Sequence, residues 1–276
     1  MPRDAPALPF RHQRADGAFE LGFGTLSRGT VLRHLFQQAP LRILFPGPEP
    51  GEPPTAALLN CAGGLAGGDA LRQSVRLEPG ARATLCTAAA EKVYRSLGPD
   101  TRIGTRLSLG AGAVLEWLPQ ETILFDGARM ARRMQVELAE GARLLAVEML
   151  VFGRAAAGER MRAGAVFDGW RLRGPGGLLW ADALSIADPA TELAAPFGFG
   201  GAEAMAMLLL AAPEAEAMRD LLRDAGAAAT LPRPGLLLAR WLGGATPVRR
   251  AAGAAIALVR GAALGQPARL PRLWTT

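Results

Sequence analysis

Hydrophobic and polar positions alternate most clearly in the middle of the chain. In "LRQSVRLEPGAR", Leu71, Gln73, Val75 and Leu77 fall on one face and Arg72, Ser74, Arg76 and Glu78 on the other, and Pro79-Gly80 ends the run. A period of two is the pattern of a half-buried strand. Met134 to Leu138 repeats it before Gly141, whereas "LLAVEMLVF", 144–152, is apolar on both strand faces. Turn signals recur too. Leu, two residues, then Gly-Ala occurs at Leu77-Gly80-Ala81, Leu107-Gly110-Ala111 and Leu138-Gly141-Ala142, a spacing of 30 or 31 residues. Such a period predicts a solenoid-like or layered β architecture. The segments after the turns differ: Glu116 is six residues past Gly110 and Glu148 seven past Gly141, so the coils are expected to be irregular.

Helical patterns come late. "PEAEAMRDLLRDAG", 213–226, opens with Pro and acidic residues, places Met218, Leu221 and Leu222 on one stripe and closes at Gly226. "TPVRRAAGAAIALVRGAALG", 246–265, reads as a helix with Thr246 as cap and Pro247 at its first position. Pro232 to Gly235 marks a turn, and 187–204, rich in Gly and Pro, reads as a long loop. The expected fold is mainly β with two helices in the C-terminal half and a β-helix-like or layered β core, α+β overall. It forms one domain over 1–276, β-rich over about 10–186 and helix-containing over about 200–276.

Composition narrows the function classes. The chain has 276 residues, half of them hydrophobic and 20% charged, which excludes a disordered chain. Its net charge of +6 and pI near 10.7 raise the question of nucleic acid. The basic residues are scattered arginines, Lys92 being the one lysine, with no block of like charge and no interleaved aromatic stripe for stacking bases. Nucleic-acid binding is therefore not expected. Two cysteines, Cys61 and Cys86, make no disulfide framework. The N-terminus has no apolar signal core, and the apolar run 204–212 is too short to span a bilayer. A soluble, cytoplasmic protein without a membrane partner is the expectation.

Candidate chemistry is sparse. Gly63 and Gly68 in "GGLAGGDA" have the glycine spacing of a phosphate-binding loop, but Asp69 stands where the lysine belongs and Ala70 where the hydroxyl belongs. An Asp repels phosphate and Ala cannot ligate a metal. His12 and His34 form no ligand pair, and neither a nucleophile elbow nor a dinucleotide fingerprint is present. Glu148 and Glu116, in contrast, sit in apolar runs. A buried carboxylate is costly unless paired, hydrated or bound to a cation. One reading pairs them with arginines such as Arg154; the other makes them line a wet internal path for a divalent cation. Lys92 and Tyr94, each alone of its type, share the stretch "EKVYRS".

"CAGGLAGGDAL" from Cys61, "LCTAAAEKVYRS" from Leu85, "LEWLPQETILFDGAR" from Leu115, "EMLVFGRAAAGE" from Glu148 and the closing "PRLW" resemble, in order and spacing, the urease accessory protein family UreD, also called UreH. The likeness runs from "RHQRADGAFEL" to the C-terminus. It implies a non-enzymatic assembly factor for a nickel enzyme, which binds the urease apoprotein and recruits UreF, which in turn brings the GTPase UreG. It also implies a β-helix-like core and a tunnel that carries nickel(II) transiently, with no tightly bound cofactor and no stable metal site. Carried over as candidate channel residues are Asp69, Lys92, Ser96, Glu116, Glu121, Asp126 and Glu148. Gly63, Gly64, Gly68, Tyr94, Arg95, Arg154 and Trp274 are carried over as motif or structural residues. Glu91 departs from the family pattern, where a small or hydroxyl residue is more usual, and Cys61 is not imported as a ligand.

Overall fold

The alternating segments form strands, and the segments apolar on both faces lie in the middle layer of a three-layer molecule. The computed structural model describes residues 13–47 and 49–275; His12 falls outside them. In chain order the strands are β1 (Asp16–Leu26), β2 (Gly29–Gln38), β3 (Leu41–Leu44), β4 (Thr55–Asn60), β5 (Ala70–Leu77) and β6 (Arg82–Thr87). Next come β7 (Glu91–Val93), β8 (Thr101–Leu109), β9 (Val114–Leu118), β10 (Thr122–Leu124), β11 (Arg129–Leu138) and β12 (Arg143–Phe152). The remaining strands are β13 (Ala165–Gly174), β14 (Gly177–Ile186), β15 (Ala204–Ala211), β16 (Ala228–Arg233) and β17 (Leu236–Gly243); the helices are α1 (Pro189–Glu192), α2 (Ala215–Asp224) and α3 (Ala245–Leu264).

A seven-stranded sheet has the order β14-β13-β11-β8-β5-β1-β2, and a ten-stranded sheet the order β16-β17-β15-β12-β9-β6-β4-β3, with β10 and β7 joined beside β12. Neighbours from β1 through β5, β8 and β11 to β13 are parallel, as are β4, β6, β9 and β12. The chain therefore passes from one sheet to the other and back, and each coil stacks in register on the last. This is the solenoid-like layered arrangement that the turn period predicts.

The structure corrects the register of that repeat. Leu109, not Leu107, pairs with Leu77 and Leu138. The equivalent glycines are Gly80, Gly112 and Gly141, with φ of 71°, 64° and 68°. Each sits third in a turn closed by a backbone hydrogen bond, Ala81 N–H to Glu78 O, Ala113 to Gly110 and Ala142 to Ala139. Only glycine takes that positive φ without strain. The sequence "GAGA" at 110–113 offers two glycines, and φ selects the second. The turns also bond to one another, Gly80 N–H to Ala111 O at 2.9 Å and Gly112 N–H to Glu140 O at 3.0 Å.

One core lies between the sheets, built from inward rows such as Leu71, Val75 and Leu77 against Leu85, Leu115 and Leu144. A second lies between the far face of the ten-stranded sheet and α2 and α3. The region expected to be helical thus contains three strands as well: "AMAMLLLA" is β15, a central strand buried on both faces. α1 lies inside the segment read as loop; Asp188 caps it, and Glu192 accepts the N–H groups of Ala187 and Asp188. α3 begins one residue before Thr246, with Gly244 as N-cap, so Pro247 is its third residue and still needs no hydrogen-bond partner for a backbone N–H.

α3 buries Val248, Ala252, Ala255, Ile256, Val259 and Ala263, a stripe at helical spacing. Its C-terminal carbonyls accept from Arg82 (Leu264 O, 2.7 Å) and Arg143 (Ala263 O, 2.8 Å), two arginines that flank Val114 in the ladder. Within the stripe stands Arg260, fully buried. It donates to Glu116 Oε1 at 2.7 Å and to Glu52 and the Arg269 carbonyl. Removing one side of such a pair leaves buried charge uncompensated. Arg260→Ala is expected to cost about 3–5 kcal/mol in urea unfolding; a loss below about 1 kcal/mol would make the network dispensable.

Candidate functional site, a buried arginine and two carboxylates

The strand alternation determines which side chains enter the space between the sheets. On β11 the inward row is Met130, Arg132, Met134 and Val136; on β13 it is Val166, Asp168, Trp170 and Leu172. Parallel register makes Arg132 and Asp168 direct neighbours. From the opposite sheet, β12 sends in Leu144, Ala146, Glu148 and Leu150, the row facing the same core.

The three charged groups meet. Arg132 Nη2 lies 2.6 Å from Asp168 Oδ2 and 2.9 Å from Glu148 Oε2, and Arg132 Nε donates to Asp168 Oδ1 at 3.0 Å. Trp170 Nε1 donates to Glu148 Oε2 at 2.9 Å, and Arg132 Nη1 donates to Thr122 Oγ1 at 3.3 Å. All three are buried. One guanidinium cannot neutralise two carboxylates. Burial, with a smaller contribution from the Asp168 charge, pushes Glu148 up to about 8, against the pull of Arg132. The Glu148 carboxyl thus holds its proton at neutral pH.

Glu148 and Asp168 form part of the wall of a cavity of about 270 Å³, together with Trp170, Phe199, Met205 and Met207. Its wall also includes Asp182 and Arg240, a half-exposed ion pair, so the cavity links the buried carboxylates to the surface. The site can hold and release a proton and offers oxygen donors to a cation. Among the described residues, no group of three or more His, Cys, Asp or Glu is arranged to hold a metal.

The other sequence-selected residues fall elsewhere. Glu116 is on the opposite face of the same sheet, with Arg260 and Thr84, beside Cys86, whose thiol burial pushes far up. The sheet separates Glu116 from Glu148. Glu121 pairs with Arg249, whose guanidinium stacks over Trp274, and Trp274 Nε1 donates to Leu118 O at 2.9 Å, fastening the C-terminal segment. Arg154, named as a partner for Glu148, pairs with Glu159 at 2.5 Å and lies over Phe125. Gly153, with φ of 102°, turns the chain out of β12 just before it.

The glycine-rich loop packs against the "EKVYRS" stretch. A Cβ on Gly64 would come within 2.5 Å of the Tyr94 ring, and one on Gly67 would overlap Ser96 Oγ. Gly63, Gly64 and Gly68 all have positive φ. Asp69 accepts from the backbone N–H groups of Ala15 (2.8 Å) and Ala66 (2.7 Å), which ties the loop to β1 and closes its own turn. Tyr94 donates to Gly63 O at 2.8 Å, and the Lys92 carbonyl accepts from Leu65 while the Lys92 side chain is exposed. Ser96 bonds within its own turn, to Pro99 O at 2.6 Å. Arg95 pairs with Asp126 at 2.7 Å, and the N–H of Arg162, seconded by that of Ala163, holds Asp126 below the usual carboxylate range. Glu91 accepts from Asn60 at 3.0 Å, and burial pushes its carboxyl up.

Sequence reasoning missed Arg132 and Asp168. The signal was present: carrying the alternation of Met134 to Leu138 back along β11 places Arg132 in the core row, and Asp168 interrupts an inward apolar row in the same way.

A layered β solenoid with arginine–carboxylate pairs in its interior is the class of protein that this fold and site define. The model of the UreD urease accessory protein family matches residues 15–275, and the chain belongs to that family. A protein of Granulibacter bethesdensis named urease accessory protein UreD is 56% identical over 238 residues, covering 84% of this chain and 99% of that one. Those of Magnetococcus marinus (42%, covering 99% of both chains) and of a Methylobacterium species (44%, covering 98% of both) carry the same name.

The protonation of Glu148 has a measurable consequence. Its folded pKa lies above the unfolded value of 4.5, so its contribution to stability is complete below that value and is lost as pH rises through about 8. The thermal midpoint should fall from about pH 5 to about pH 9, and Glu148→Gln should flatten that fall. Parallel calorimetric profiles for the two proteins would mean that Glu148 does not titrate there.

Proposed function

We propose that this chain is a cytoplasmic, non-enzymatic maturation factor that delivers nickel to urease. It binds the urease apoprotein and recruits UreF, through which the GTPase UreG joins the assembly. Nickel(II) passes through its interior by way of the cavity at Glu148 and Asp168. Family membership supports the accessory role. The observation that carries the conduit is the pair of buried carboxylates in the wall of a cavity that reaches the half-exposed Asp182.

Oxygen donors exchange nickel quickly, whereas imidazole and thiolate hold it. A protonated Glu148 beside the Arg132–Asp168 pair suits transient contact: an arriving dication displaces the proton on Glu148, and Arg132 keeps Asp168 compensated. This fixes the sign with pH. Passage should rise as pH increases towards 8, where Glu148 gives up its proton.

A scaffold that orients or opens urease without conducting nickel is the second reading, and the short contacts of Arg132 to both carboxylates favour it. Deleting the gene from a urease operon should lower urease nickel and activity together, and restoring it should recover both. Restoring Glu148→Ala should leave the partner complex intact yet load urease several-fold less. Full loading by that variant with an intact complex would establish the scaffold; full loading without the gene would end the maturation reading itself.

A further inference from the structure

Among the described residues, no long helix covers the outer face of the seven-stranded sheet. α2 and α3 pack on the other sheet, against β12, β15, β16 and β17. Parallel ladders are normally covered on both faces, yet here the outward rows of the parallel strands β5, β8, β11 and β13 are exposed or half-buried. Arg76, Arg102, Arg106, Arg133, Arg171 and Arg173 project from β5, β8, β11 and β13 and are exposed. None of the six forms an ion pair among the described residues, although Arg173 has Glu137 as its ladder neighbour; Arg106 meets Gln135 and Arg133 lies over Phe167. Arg72, in the same array, pairs with Asp16.

The register arranges these charges in a pattern. One cross-strand row reads Arg72, Gly104, Arg133, Gly169; the next reads Ser74, Arg106, Gln135, Arg171; a third reads Arg76, Ser108, Glu137, Arg173. No two arginines are direct cross-strand neighbours in these rows, which avoids like-charge contact. Arginines within a row stand two or more strands apart, at least about 10 Å.

Gly104 sits at the centre of this array. Arg72 and Arg133 are its neighbours on either side, and Arg102 and Arg106 lie two residues away along β8 on the same face. A Cβ added at Gly104 would meet nothing within 4 Å. The hollow above it belongs to a surface cavity of about 520 Å³ that includes Arg72, Arg106 and Arg133 in its wall. Arg106 and Arg133, neither of them ion-paired among the described residues, and Arg72, which Asp16 already engages, line this hollow together with Glu20, and Arg102 stands beside it on β8. The positive side chains outnumber the one carboxylate, and Arg matches a carboxylate bidentately where Lys offers a point charge.

We propose that this face docks an acidic protein surface, with a partner carboxylate seated over Gly104 among Arg72, Arg102, Arg106 and Arg133. The partner is the urease apoprotein, an identification that rests on the maturation reading. A protein fits better than a nucleic acid because the cavity offers one exposed ring, Phe36, and the ring of Phe167 is already covered by Arg133, so the array lacks the succession of rings on which a run of bases stacks.

Two variants of the full chain test this. R102Q/R106Q/R133Q removes three exposed guanidiniums; G104E places an intramolecular carboxylate in the open hollow and leaves every arginine in place. Binding of purified urease apoprotein would be measured by interferometry across ionic strength, with a short DNA duplex as the second probe and circular dichroism as the fold check. Both variants should bind apoprotein about tenfold or more weakly at low salt, and the triple variant should show a flatter salt dependence. Wild-type affinity in both variants overturns this docking face and leaves the maturation reading standing. Failure of the wild-type chain to bind apoprotein at any salt removes both. Tighter binding of the duplex than of apoprotein, lost in the triple variant, overturns the choice of a protein partner.

Discussion

In-register stacking of parallel coils is the constraint on which the rest of the structure depends. Once β11 lies beside β8 and β13 with a fixed partner for every residue, an inward residue on one coil must be accommodated by inward residues on the next. Most inward positions answer with apolar side chains. Arg132 cannot, and its ladder neighbours are Ile103 on one side and Asp168 on the other. The pairing of guanidinium and carboxylate is thus fixed by backbone register before any side chain chooses a rotamer. The glycine turns serve the same constraint, since Gly80, Gly112 and Gly141 must reverse the chain identically for the coils above them to stay aligned.

The middle sheet is buried on both faces, and that doubles the problem of placing a polar residue there. Glu116 and Glu148 lie on adjacent strands of this sheet and point to opposite cores. Each is met by one arginine and one further carboxylate: Arg260 with Glu52 for Glu116, Arg132 with Asp168 for Glu148. The outcomes differ because the surroundings differ. Arg269 also reaches Glu52, so the first network gains a second cation. Among the described residues no second cation contacts Glu148 or Asp168, and the excess negative charge is relieved by a proton instead. The first arrangement fastens α3 to the sheet; the second leaves a carboxyl that gives up its proton as pH rises through about 8.

Much of this was legible in the sequence. Alternation gave β5 and the second half of β11, the Pro and Gly boundaries gave α2 and nearly all of α3, and the recurring glycine turns implied stacked coils. What was not legible was register. Two adjacent Gly-Ala pairs at 110–113 are equivalent as letters, and only φ distinguishes them. The C-terminal strands were obscured because β15 is buried on both faces, so its apolar run carries no period. Glu116 and Glu148 were recognisable as costly to bury, but their partners lie 144 residues away at Arg260 for the first, and 16 and 20 residues away at Arg132 and Asp168 for the second. Separation along the chain says nothing about which arginine a coil will deliver. The glycine-rich loop shows the opposite case: its failure as a phosphate site was readable at once, whereas its close fit under Tyr94 and Ser96 needed coordinates.

Charge is handled differently inside and outside. In the interior each buried guanidinium is matched by carboxylates at hydrogen-bond distance, because low dielectric makes an isolated charge intolerable. On the outer sheet face solvent removes that penalty, so six arginines stand without an ion pair among the described residues and need only be kept from adjoining one another, while Arg72 and Arg129 keep surface partners. The basic excess of the chain, 31 Lys and Arg against 25 Asp and Glu, is therefore free to accumulate where no layer covers it. A field of that kind acts over about a Debye length and attracts an acidic surface before contact. In the proposed passage the interior site acts only at contact, by trading a proton or a guanidinium bond. Long-range attraction on a rigid face and short-range exchange in a cavity between the same two sheets are separable by mutation, because no residue is common to both.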